Sequence, residues 1–549
     1  MQSLKFQIPQ IPSEHLSATW VHQLLLIIQQ QSDRIQKLEG EIQELRSEIA
    51  RLKNHKSKPD IKPSNLDKNS DDDKKSGGGG KRPGSEKESK KDIPIHEIIR
   101  IKPAHIPEGA IFKGVREFDV QDIRIIPHNT RYQIEEWVDS SDKSIVVEIP
   151  NVTTFPHFGG DLIGFILYQY HQCHVTQPLL LEQLEEFGVR MSSGQLSKIL
   201  TDEVFLKKFH AEKASLLTAG IQNSTFIQTD DTGARHDGKN GYATLVGNDL
   251  FSWFESSPSK SRVNFLQVLQ GGKEASVFLV NQDAFDYMNQ EKLSTASVQK
   301  LQSAQDKNFS SLQDWHLHLQ KLGIKATAHV RIATEATLFA GALSKGLSRN
   351  FIILSDDAGQ FNIPLLQHGL CWVHAERLLK KIIAIHPQGQ SDLDKVIADF
   401  WDLYRLLKSY RQKQESVTRQ QIERIFDELF QRTTACQTLN LALKRLHANR
   451  DELLLVLDYP ELPLHNNMAE SDIREYVKRR KISGGTRSLD GQKARDTFTS
   501  LKKTCRKLKI SFWLFLKDRI ANAGHIAQLA ELIRQAAENR RPQVQTLAA

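Results

Sequence analysis

The sequence predicts a multidomain α/β protein, and three observations support this. The chain has 549 residues, enough for roughly three or four domains. Short apolar runs with strand character alternate with longer stretches of helical periodicity. Two of the apolar runs, at 224–229 and 350–355, end directly in a pair of aspartates.

The overall composition is mildly basic and moderately apolar. Lys and Arg number 74 against 66 Asp and Glu, a net charge of +8, which is compatible with nucleic acid but does not establish it. Four widely spaced cysteines without a C-x-x-C pair argue against a disulfide framework or a cysteine-rich zinc site and fit a reducing cytoplasm. The sequence has neither a basic start followed by a long apolar core nor a long apolar stretch, so we expect neither a signal peptide nor a membrane span.

Residues 18–53 carry a heptad pattern. The a positions are Ile28, Ile35, Ile42 and Ile49, and the d positions are Gln31, Leu38, Leu45 and Leu52. Isoleucine at a and leucine at d favours a parallel two-stranded coiled coil, and the flanking charges attract in that register. The alternative is one amphipathic helix packed on its own protein, but the sustained register favours a dimer.

Two polar or β-rich segments follow the heptads. Residues 54–94 are rich in Lys, Asp, Ser, Gly and Pro, which predicts a disordered, charged linker. Residues 95–157 alternate apolar runs with Pro and Gly. The runs at 123–127 and 144–150 have strand character, so a small β-rich module is expected.

Residues 158–218 switch to helical periodicity. Gly188 separates two short helices, and Ser192 or Ser193 is placed to cap the second. Two short helices around a glycine turn resemble a helix-turn-helix, which places one helix in a DNA groove. An ordinary helical hairpin explains the pattern equally well.

Strands and helices alternate through the rest of the chain. Strands are predicted at 225–229, 241–247, 250–255 and 350–355, and helical stretches at 274–345, 370–449, 464–482 and 491–535. The stretch at 464–482 is strongly basic. The last stretch is predicted to have a basic face made of Lys493, Arg495, Lys502, Lys503, Arg506, Lys507 and Lys509.

Three acidic positions suggest a metal site. Asp230 with its neighbour Asp231, and Asp356 with Asp357, follow strands, and Glu470 opens the basic helix. Successive side chains of a strand point to opposite faces, so only one member of each aspartate pair can face a common site. Each acid alone has a structural explanation, because Asp starts turns and Glu suits the first turn of a helix. Together they favour two Mg²⁺ ions about 3.5–4 Å apart over a phosphodiester.

Several segments resemble the transposases of the insertion-sequence-sixty-six type (TnpC-like). They are Asp230-Asp-Thr-Gly, Ser355-Asp-Asp-Ala-Gly-Gln-Phe361, Cys371-Trp-Val-His-Ala-Glu-Arg377, Asn466-Asn-Met-Ala-Glu-Ser-Asp-Ile-Arg474 and Arg480-Lys-Ile-Ser-Gly-Gly-Thr-Arg487. The order of coiled coil, linker, small module, helical DNA-binding region and catalytic domain is also similar. The resemblance runs from about residue 20 to about residue 520.

The resemblance implies a particular catalytic fold. Residues 222–485 would form a ribonuclease-H-like core with helical insertions near 274–345 and 384–460. A basic helical region at 486–549 would follow it.

The resemblance also implies the catalytic residues. It selects Asp230 over Asp231 and Asp356 over Asp357, and it completes a metal-binding triad with Glu470. The expected cofactor is Mg²⁺, with two ions, and Mn²⁺ as a possible substitute.

A histidine is a further candidate catalytic residue. Cys371 and His374 lie three apart and so share one helix face. They resemble the C-x-x-H element of related transposases, in which the histidine lies near the scissile phosphate. The alternative is a helical histidine packed beside Trp372.

Four basic residues match basic positions of the family, namely Arg474, Arg480, Lys481 and Arg487. They would neutralise DNA phosphates beside the metals. The alternative, a solvated basic helix face, is credible for Lys478 and Arg479.

The sequence departs from the family pattern in two places. Ser471 stands where many relatives carry Arg after the catalytic Glu, which puts one phosphate contact in doubt. Residues 95–157 contain no cysteine where many relatives carry a zinc motif, so no zinc is predicted there and DNA binding by this module is open.

The implied activity is that of a DNA transposase in the bacterial cytoplasm, associated with the nucleoid. It would act as a dimer or larger assembly on double-stranded DNA, both the ends of its element and the target. No membrane partner is expected, and small companion proteins of the element are further candidate partners. It would free a 3′-hydroxyl that attacks target DNA. The alternatives are a metal-dependent nuclease or junction resolvase on the same fold, and a catalytically inactive DNA-binding dimer.

Overall fold

The computed structural model describes residues 94–102, 104–135, 137–138, 144–145, 155, 157–384, 386–412 and 418–540, together with Leu26, Gln30, Gln31 and Arg34. Those four residues are helical and belong to the predicted coiled coil at 18–53, the rest of which lies outside the described residues. The predicted linker at 54–94 also lies outside them, apart from Pro94. The chain divides into a smaller unit, 59–129, and a larger unit made of 1–58 and 130–549.

The larger unit is a mixed α/β structure with a five-stranded sheet. The strands are β1 Trp137–Val138, β2 Ser144–Ile145, β3 Phe226–His236, β4 Lys239–Gly247, β5 Ser252–Ser257, β6 Phe278–Leu279, β7 Asn308–Phe309, β8 Ile352–Ser355 and β9 Gln367–Leu370. The sheet has the order β5-β4-β3-β8-β9. Strands β3, β4 and β5 are antiparallel neighbours, β8 runs parallel to β3, and β9 runs parallel to β8. The strands predicted at 225–229, 241–247, 250–255 and 350–355 are confirmed, whereas β9 was not predicted.

The β3–β4 hairpin is the longest feature of the sheet. Its two-residue turn is Asp237–Gly238, with φ of 46° and 71°. Positive φ at both turn residues matches the right-handed twist of the strands, and Asp-Gly is a favoured pair for it. The hairpin carries β3 eight residues beyond its last pair with β8, at Gln228 and Leu354.

Helices surround the sheet and form most of the described structure. They are α1 Gly160–His171, α2 Gln177–Glu186, α3 Ser193–Thr201, α4 Glu203–Gln222, α5 Arg262–Leu269, α6 Gln282–Gln290, α7 Thr295–Ser303, α8 Leu312–Lys321, α9 Thr327–Ser344, α10 Trp372–Lys380, α11 Pro387–Gln412, α12 Arg419–Phe430, α13 Gln437–Ala448, α14 Arg450–Leu453, α15 Asn467–Ser483, α16 Leu489–Lys507, α17 Phe512–Ala521 and α18 Leu529–Glu538. In chain order, helices α5–α9 follow β5 and precede β8, and helices α10–α14 follow β9 and precede α15. Most of these helices lie in the helical stretches predicted at 274–345 and 370–449.

Helix α15 covers one face of the antiparallel half of the sheet. Its buried side chains Ala469, Ile473 and Tyr476 pack with Ala234, Ala243, Leu245 and Phe254 of the strands. The Phe254 and Tyr476 rings stack with centroids 5.9 Å apart. This contact fixes the start of α15 beside β3.

Helix α16 closes the edge of the sheet at β5 with side chains instead of another strand. Alternate β5 amides donate to every fourth side chain of α16: Ser252 to Thr504 at 3.1 Å, Phe254 to Ser500 at 2.9 Å and Ser256 to Asp496 at 2.8 Å. Four residues of helix rise about 6 Å and two residues of strand about 6.6 Å, so the two rows stay in step. The match explains why this polar helix is buried.

The helices that precede the sheet include the predicted hairpin. Gly188, with φ of 81°, lies between α2 and α3, and Ser192 caps α3 through a capping box with Gln195. The predicted cap at Ser192 is confirmed. Whether α2 and α3 enter DNA stays a prediction.

The described part of the predicted β-rich module contains little strand. The only strands described in 95–157 are β1 and β2, so no strand forms at 123–127 where the sequence suggested one. Side chains such as Ile98, Phe112 and Phe118 are exposed there. Among the described residues, no helix is both long and apolar enough to cross a bilayer.

Candidate active site at the strand ends

Asp230 and Asp356 lie just beyond the paired part of two parallel strands, although β3 itself continues past Asp230 to His236 where the sequence suggested that it ends. The pairing of β3 with β8 ends at Gln228 and Leu354, and each aspartate follows two residues later in the same register. Because side chains alternate along a strand, both aspartates continue the rows set by Gln228 and Leu354. Ligands in open α/β sheets bind at this carboxyl edge.

The second aspartate of each pair has partners of its own. Asp231 forms an ion pair with Lys260, and its other oxygen accepts from Gln360 Nε2 at 2.9 Å. Asp357 forms an ion pair with Arg445 of α13 at 2.5 Å. Asp231 and Asp357 therefore bind side chains of neighbouring segments. Asp230 and Asp356 remain as the members of each pair that can form a common site.

Glu470 lies in the first turn of α15, beside β3. The Asn466 side chain, which precedes the helix, donates to the Thr229 carbonyl at 2.7 Å, and the Ala469 amide donates to Gln228 Oε1 at 3.4 Å. These bonds fix the helix start against the strand one residue before Asp230. Glu470 is thereby held near the two aspartates on a separate element.

Helix α10 brings His374 and Arg377 to Glu470. The Cys371 amide donates to the Ser355 carbonyl at 2.9 Å, so the helix begins beside the end of β8. Arg377 Nη2 lies 3.2 Å from Glu470 Oε1, and His374 Nε2 lies 3.7 Å from the same oxygen. Arg474, one turn along α15, approaches Glu470 Oε2 at 3.6 Å.

The surroundings of His374 favour its neutral ring, and those of Cys371 favour its protonated thiol. Burial, and next the charge of Arg377, lowers the pKa of His374. Arg377 Nη1 donates to His374 Nε2 at 3.0 Å, so the proton of the neutral ring is on Nδ1. Burial raises the pKa of Cys371 to about 11, so this cysteine does not act as a thiolate near neutral pH.

The acidic cluster is short of positive charge. Burial, together with the charges of Asp356, Asp231 and Glu470, raises the pKa of Asp230 to about 7. Asp356 Oδ1 and Glu470 Oε1 are buried oxygens without a hydrogen-bond partner. Crowded carboxylates with unused lone pairs fit a hard divalent cation.

The cluster does not gather its acids into one coordination shell. In the part of the chain that the structure describes, no three His, Cys, Asp or Glu side chains are close enough together to hold a metal ion. Glu470 contacts Arg377 and Arg474 instead. The donor chemistry therefore fits a cation, but in this conformation arginines neutralise the glutamate.

The predicted DNA-binding residues fall in two environments. Arg474, Lys481 and Arg487 are exposed. Arg480 is half-buried and donates to the Gly233 carbonyl of β3, and burial lowers its pKa. Arg480 therefore ties α15 to the hairpin, which leaves the other three residues as the accessible cations.

The basic face predicted for the last helical stretch is wrong for its central residues. Lys502, Lys503 and Lys507 lie against α15: Lys502 pairs with Glu475 at 2.9 Å, and Lys507 with Asp472 at 2.7 Å. Arg479, which the sequence suggested could be solvated, is buried and donates to the Tyr170 carbonyl. Acids of α15 that are distant in sequence neutralise the lysines of α16.

Sequence reasoning missed four residues of the site. They are Arg377, Asn466, Lys260 and Gln360. Arg377 is detectable in principle, because it lies three residues after His374 on one helix face. Lys260 and Gln360 carry no local signal, since only the fold brings them to Asp231.

Part of the chain that carries this acidic site matches a known protein family. Residues 341–494, which include Asp356, His374 and Glu470, match the family model described as "Transposase IS66 family". The class indicated is that of the transposases. Asp230 lies outside the matched residues.

A longer match extends beyond this region. The chain is 39% identical over 321 residues to "Uncharacterized protein y4jO" of Sinorhizobium fredii (strain NBRC 101917 / NGR234). The match spans 58% of this chain and 99% of that protein. Residues 341–494 therefore match the IS66 transposases, and the uncharacterized relative assigns no family of its own.

Proposed function

We propose that this protein is a metal-dependent DNA transposase that cuts the ends of its insertion sequence and joins the freed 3′-hydroxyls to target DNA. The observation that carries the proposal is that Asp230 and Asp356 each lie two residues beyond Gln228 and Leu354, the last pair between β3 and β8. Glu470 completes the set, because the start of α15 is bonded to β3 at Thr229.

The sheet supports a ribonuclease-H-like catalytic core. Its first three long strands form an antiparallel meander, and the next two join parallel on the side of the first, which gives the order third, second, first, fourth, fifth. This order is compatible with the ribonuclease-H-like core that the resemblance implies. Helices α6–α9 and α11–α14 lie within the two stretches, near 274–345 and 384–460, at which insertions are predicted.

Asp230, Asp356 and Glu470 would hold the divalent cations, two Mg²⁺ ions with Mn²⁺ as a substitute. The unpartnered oxygens of Asp356 and Glu470 and the raised pKa of Asp230 support this ligand set. Bound there, the cations would supply charge neutralisation and polarise the attacking and leaving oxygens of a phosphodiester.

The remaining residues of the site would bind and orient DNA. The exposed cations Arg474, Lys481 and Arg487 would contact phosphates, which fixes the position of the strand but carries no base specificity. Neutral His374 would keep its Nδ1 proton and present Nε2 toward Glu470 and Arg377. The predicted coiled coil at 18–53 would join two copies on double-stranded DNA, and companion proteins of the element remain possible partners.

Glu470→Gln tests the proposal. The full-length protein is incubated with duplexes that contain the DNA flanking its own coding sequence and with Mg²⁺. We expect a loss of end cleavage by roughly a thousandfold or more, because metal-assisted charge stabilisation contributes several kcal/mol. End binding, measured by mobility shift, should remain.

The matched control is Glu428→Gln, an exposed glutamate of α12. It should cleave as the parent does. Undiminished cleavage by Glu470→Gln would reject the assignment. Cleaved ends without joined products from the parent protein would favour the nuclease or resolvase, and metal-independent DNA binding without cleavage would favour the inactive binder.

A further inference from the structure

Arg377 makes contacts to two functional side chains at once. Its Nη2 lies 3.2 Å from Glu470 Oε1 and 3.3 Å from Oε2, and its Nη1 donates to His374 Nε2 at 3.0 Å. The Arg377 side chain is 38% exposed, whereas that of Glu470 is 13% exposed. One guanidinium at the mouth of the site therefore bridges the acid and the histidine.

The Arg377–Glu470 contact is loose. Charge-assisted N–H···O bonds are usually about 2.7–2.9 Å long. Here both distances are longer, and Oε1 keeps no hydrogen bond although Nη2 is near it. The arginine neutralises Glu470 without using up its lone pairs, and a partly exposed ion pair of this kind is easily exchanged.

The backbones that carry the two residues are fixed. The start of α15 is bonded to β3 through Asn466, and the start of α10 is bonded to β8 through Cys371. After α15, the Thr486 amide donates to the Arg235 carbonyl at 3.0 Å, at a point where a side chain on Gly485 would collide with the strand. Any exchange of partners must therefore occur by side-chain rotation.

We propose that Arg377 is the counter-charge of Glu470 before divalent cations bind, and that it then changes partner and binds a DNA phosphate at the same site. This inference rests on the proposed function. Glu470 cannot pair fully with the arginine and bind a cation at the same time. In this conformation, with Arg377 beside Glu470, no three acids among the described residues are close enough together to hold a metal ion. A planar guanidinium released beside the cluster has the geometry to bind a phosphate with two hydrogen bonds.

Ca²⁺ binding without DNA is the first test. Arg377→Gln should bind Ca²⁺ about tenfold more tightly than the parent, because a nearby positive charge is gone and Glu470 is free. Calorimetry or a Ca²⁺-dependent thermal shift measures this without turnover. Arg377→Lys keeps the positive charge and should bind Ca²⁺ as the parent does. If the glutamine variant folds poorly, a clearly altered Ca²⁺ affinity of the lysine variant would still contradict the proposal.

The matched control for Ca²⁺ binding is Arg424→Gln, an exposed arginine of α12 paired with Glu428 at 3.7 Å. It should leave the Ca²⁺ affinity unchanged. An unchanged affinity in Arg377→Gln would overturn the role as counter-charge. Glu470→Gln separates the two proposals: if it binds Ca²⁺ as the parent does, the metal site itself is wrong, and not only Arg377.

DNA binding with and without Ca²⁺ is the second test. With Ca²⁺, Arg377→Gln should lower the slope of log affinity against log salt by about 1, the signature of one lost phosphate contact. With EDTA the slope should match the parent, because the arginine is then on Glu470. An equal loss under both conditions, or no loss with Ca²⁺, would contradict the change of partner.

Discussion

Helix α15 carries acids on two sides, and their surroundings differ. Toward α16, Asp472 accepts from Ser252 Oγ at 2.6 Å and pairs with Lys507 at 2.7 Å and Lys503 at 3.3 Å. Burial alone would raise the pKa of Asp472, but the two lysines outweigh it and hold that pKa below its usual range. Toward β3, Glu470 has only long contacts, with Arg377 at 3.2 Å and Arg474 at 3.6 Å, and its Oε1 has no hydrogen bond.

This difference separates a structural acid from a candidate catalytic one. The chain supplies every charge that the Asp472 side needs, so nothing further has to bind there. At the acidic cluster, burial and next the neighbouring carboxylates raise the pKa of Asp230 to about 7, which fits a site that a bound cation completes. Acids of one helix can thus have different roles two residues apart.

The largest expected effect in stability is at Asp472. Asp472→Asn keeps the shape but leaves Lys503 and Lys507 buried beside a neutral group. Breaking such a pair costs about 3–5 kcal/mol, so we expect a marked fall in the free energy of unfolding, measured by denaturant titration. Mutation of the exposed Asp451 is the control, and a loss below about 1 kcal/mol would show that the pair is not structural.

The next expected effect is on the free energy of unfolding, to which Asp230 and Asp472 contribute with opposite dependence on pH. Asp230 has a folded pKa of about 7 against an ordinary value of 3.8, so its contribution to stability is lost as pH rises from about 4 through 7. Asp472 has a lowered pKa, so its contribution is lost as pH falls below about 4. In EDTA, Asp230→Asn should therefore be more stable than the parent at pH 8 by at least about 1 kcal/mol, since one pKa unit is about 1.4 kcal/mol.

Thermal unfolding scans from pH 4 to pH 8 measure this difference. The difference between the two proteins should shrink as pH falls toward 4, because Asp230 is then protonated in the folded state and partly protonated in the unfolded state. If Asp230→Asn is less stable than the parent at pH 8 without cations, the carboxylate is compensated and the contrast between the two sides fails.

The smallest expected effect is that of Asp357→Asn, which tests whether Asp356 or Asp357 is the catalytic residue. Asp357→Asn breaks a half-exposed ion pair with Arg445, which should cost at most about 1 kcal/mol and leave DNA cleavage nearly unchanged. Asp356→Asn should abolish cleavage while changing stability little. Parallel cleavage assays compare the two variants. A greater loss in Asp357→Asn would mean that the wrong aspartate was chosen, and equal losses would mean that the pair cannot be divided into one catalytic and one structural residue.

Sequence reasoning predicted the site because the relevant signals are local. Apolar runs that end in two aspartates gave β3 and β8, and strand alternation required one aspartate of each pair to face away. The resemblance selected Asp230 and Asp356, and the partners of Asp231 and Asp357 agree with that selection. The roles of the selected acids stay a prediction until they are tested.

The errors arose where distant residues decide the outcome. The lysines of α16 follow a helical period with no apolar face strong enough to signal burial, and the acids that neutralise them lie on α15. Periodicity along one segment cannot reveal a partner on another. Arg377 was missed for a related reason, because its contact with Glu470 spans 93 residues of sequence.

The row of α16 side chains along β5 has a consequence for assembly. An edge strand with free amides can template pairing with a neighbouring chain. Here Thr504, Ser500 and Asp496 already accept from those amides, so a second copy finds no open hydrogen-bond donors along that edge. Copies of this protein cannot join by extending the sheet past β5, which protects the folded core from edge-to-edge aggregation.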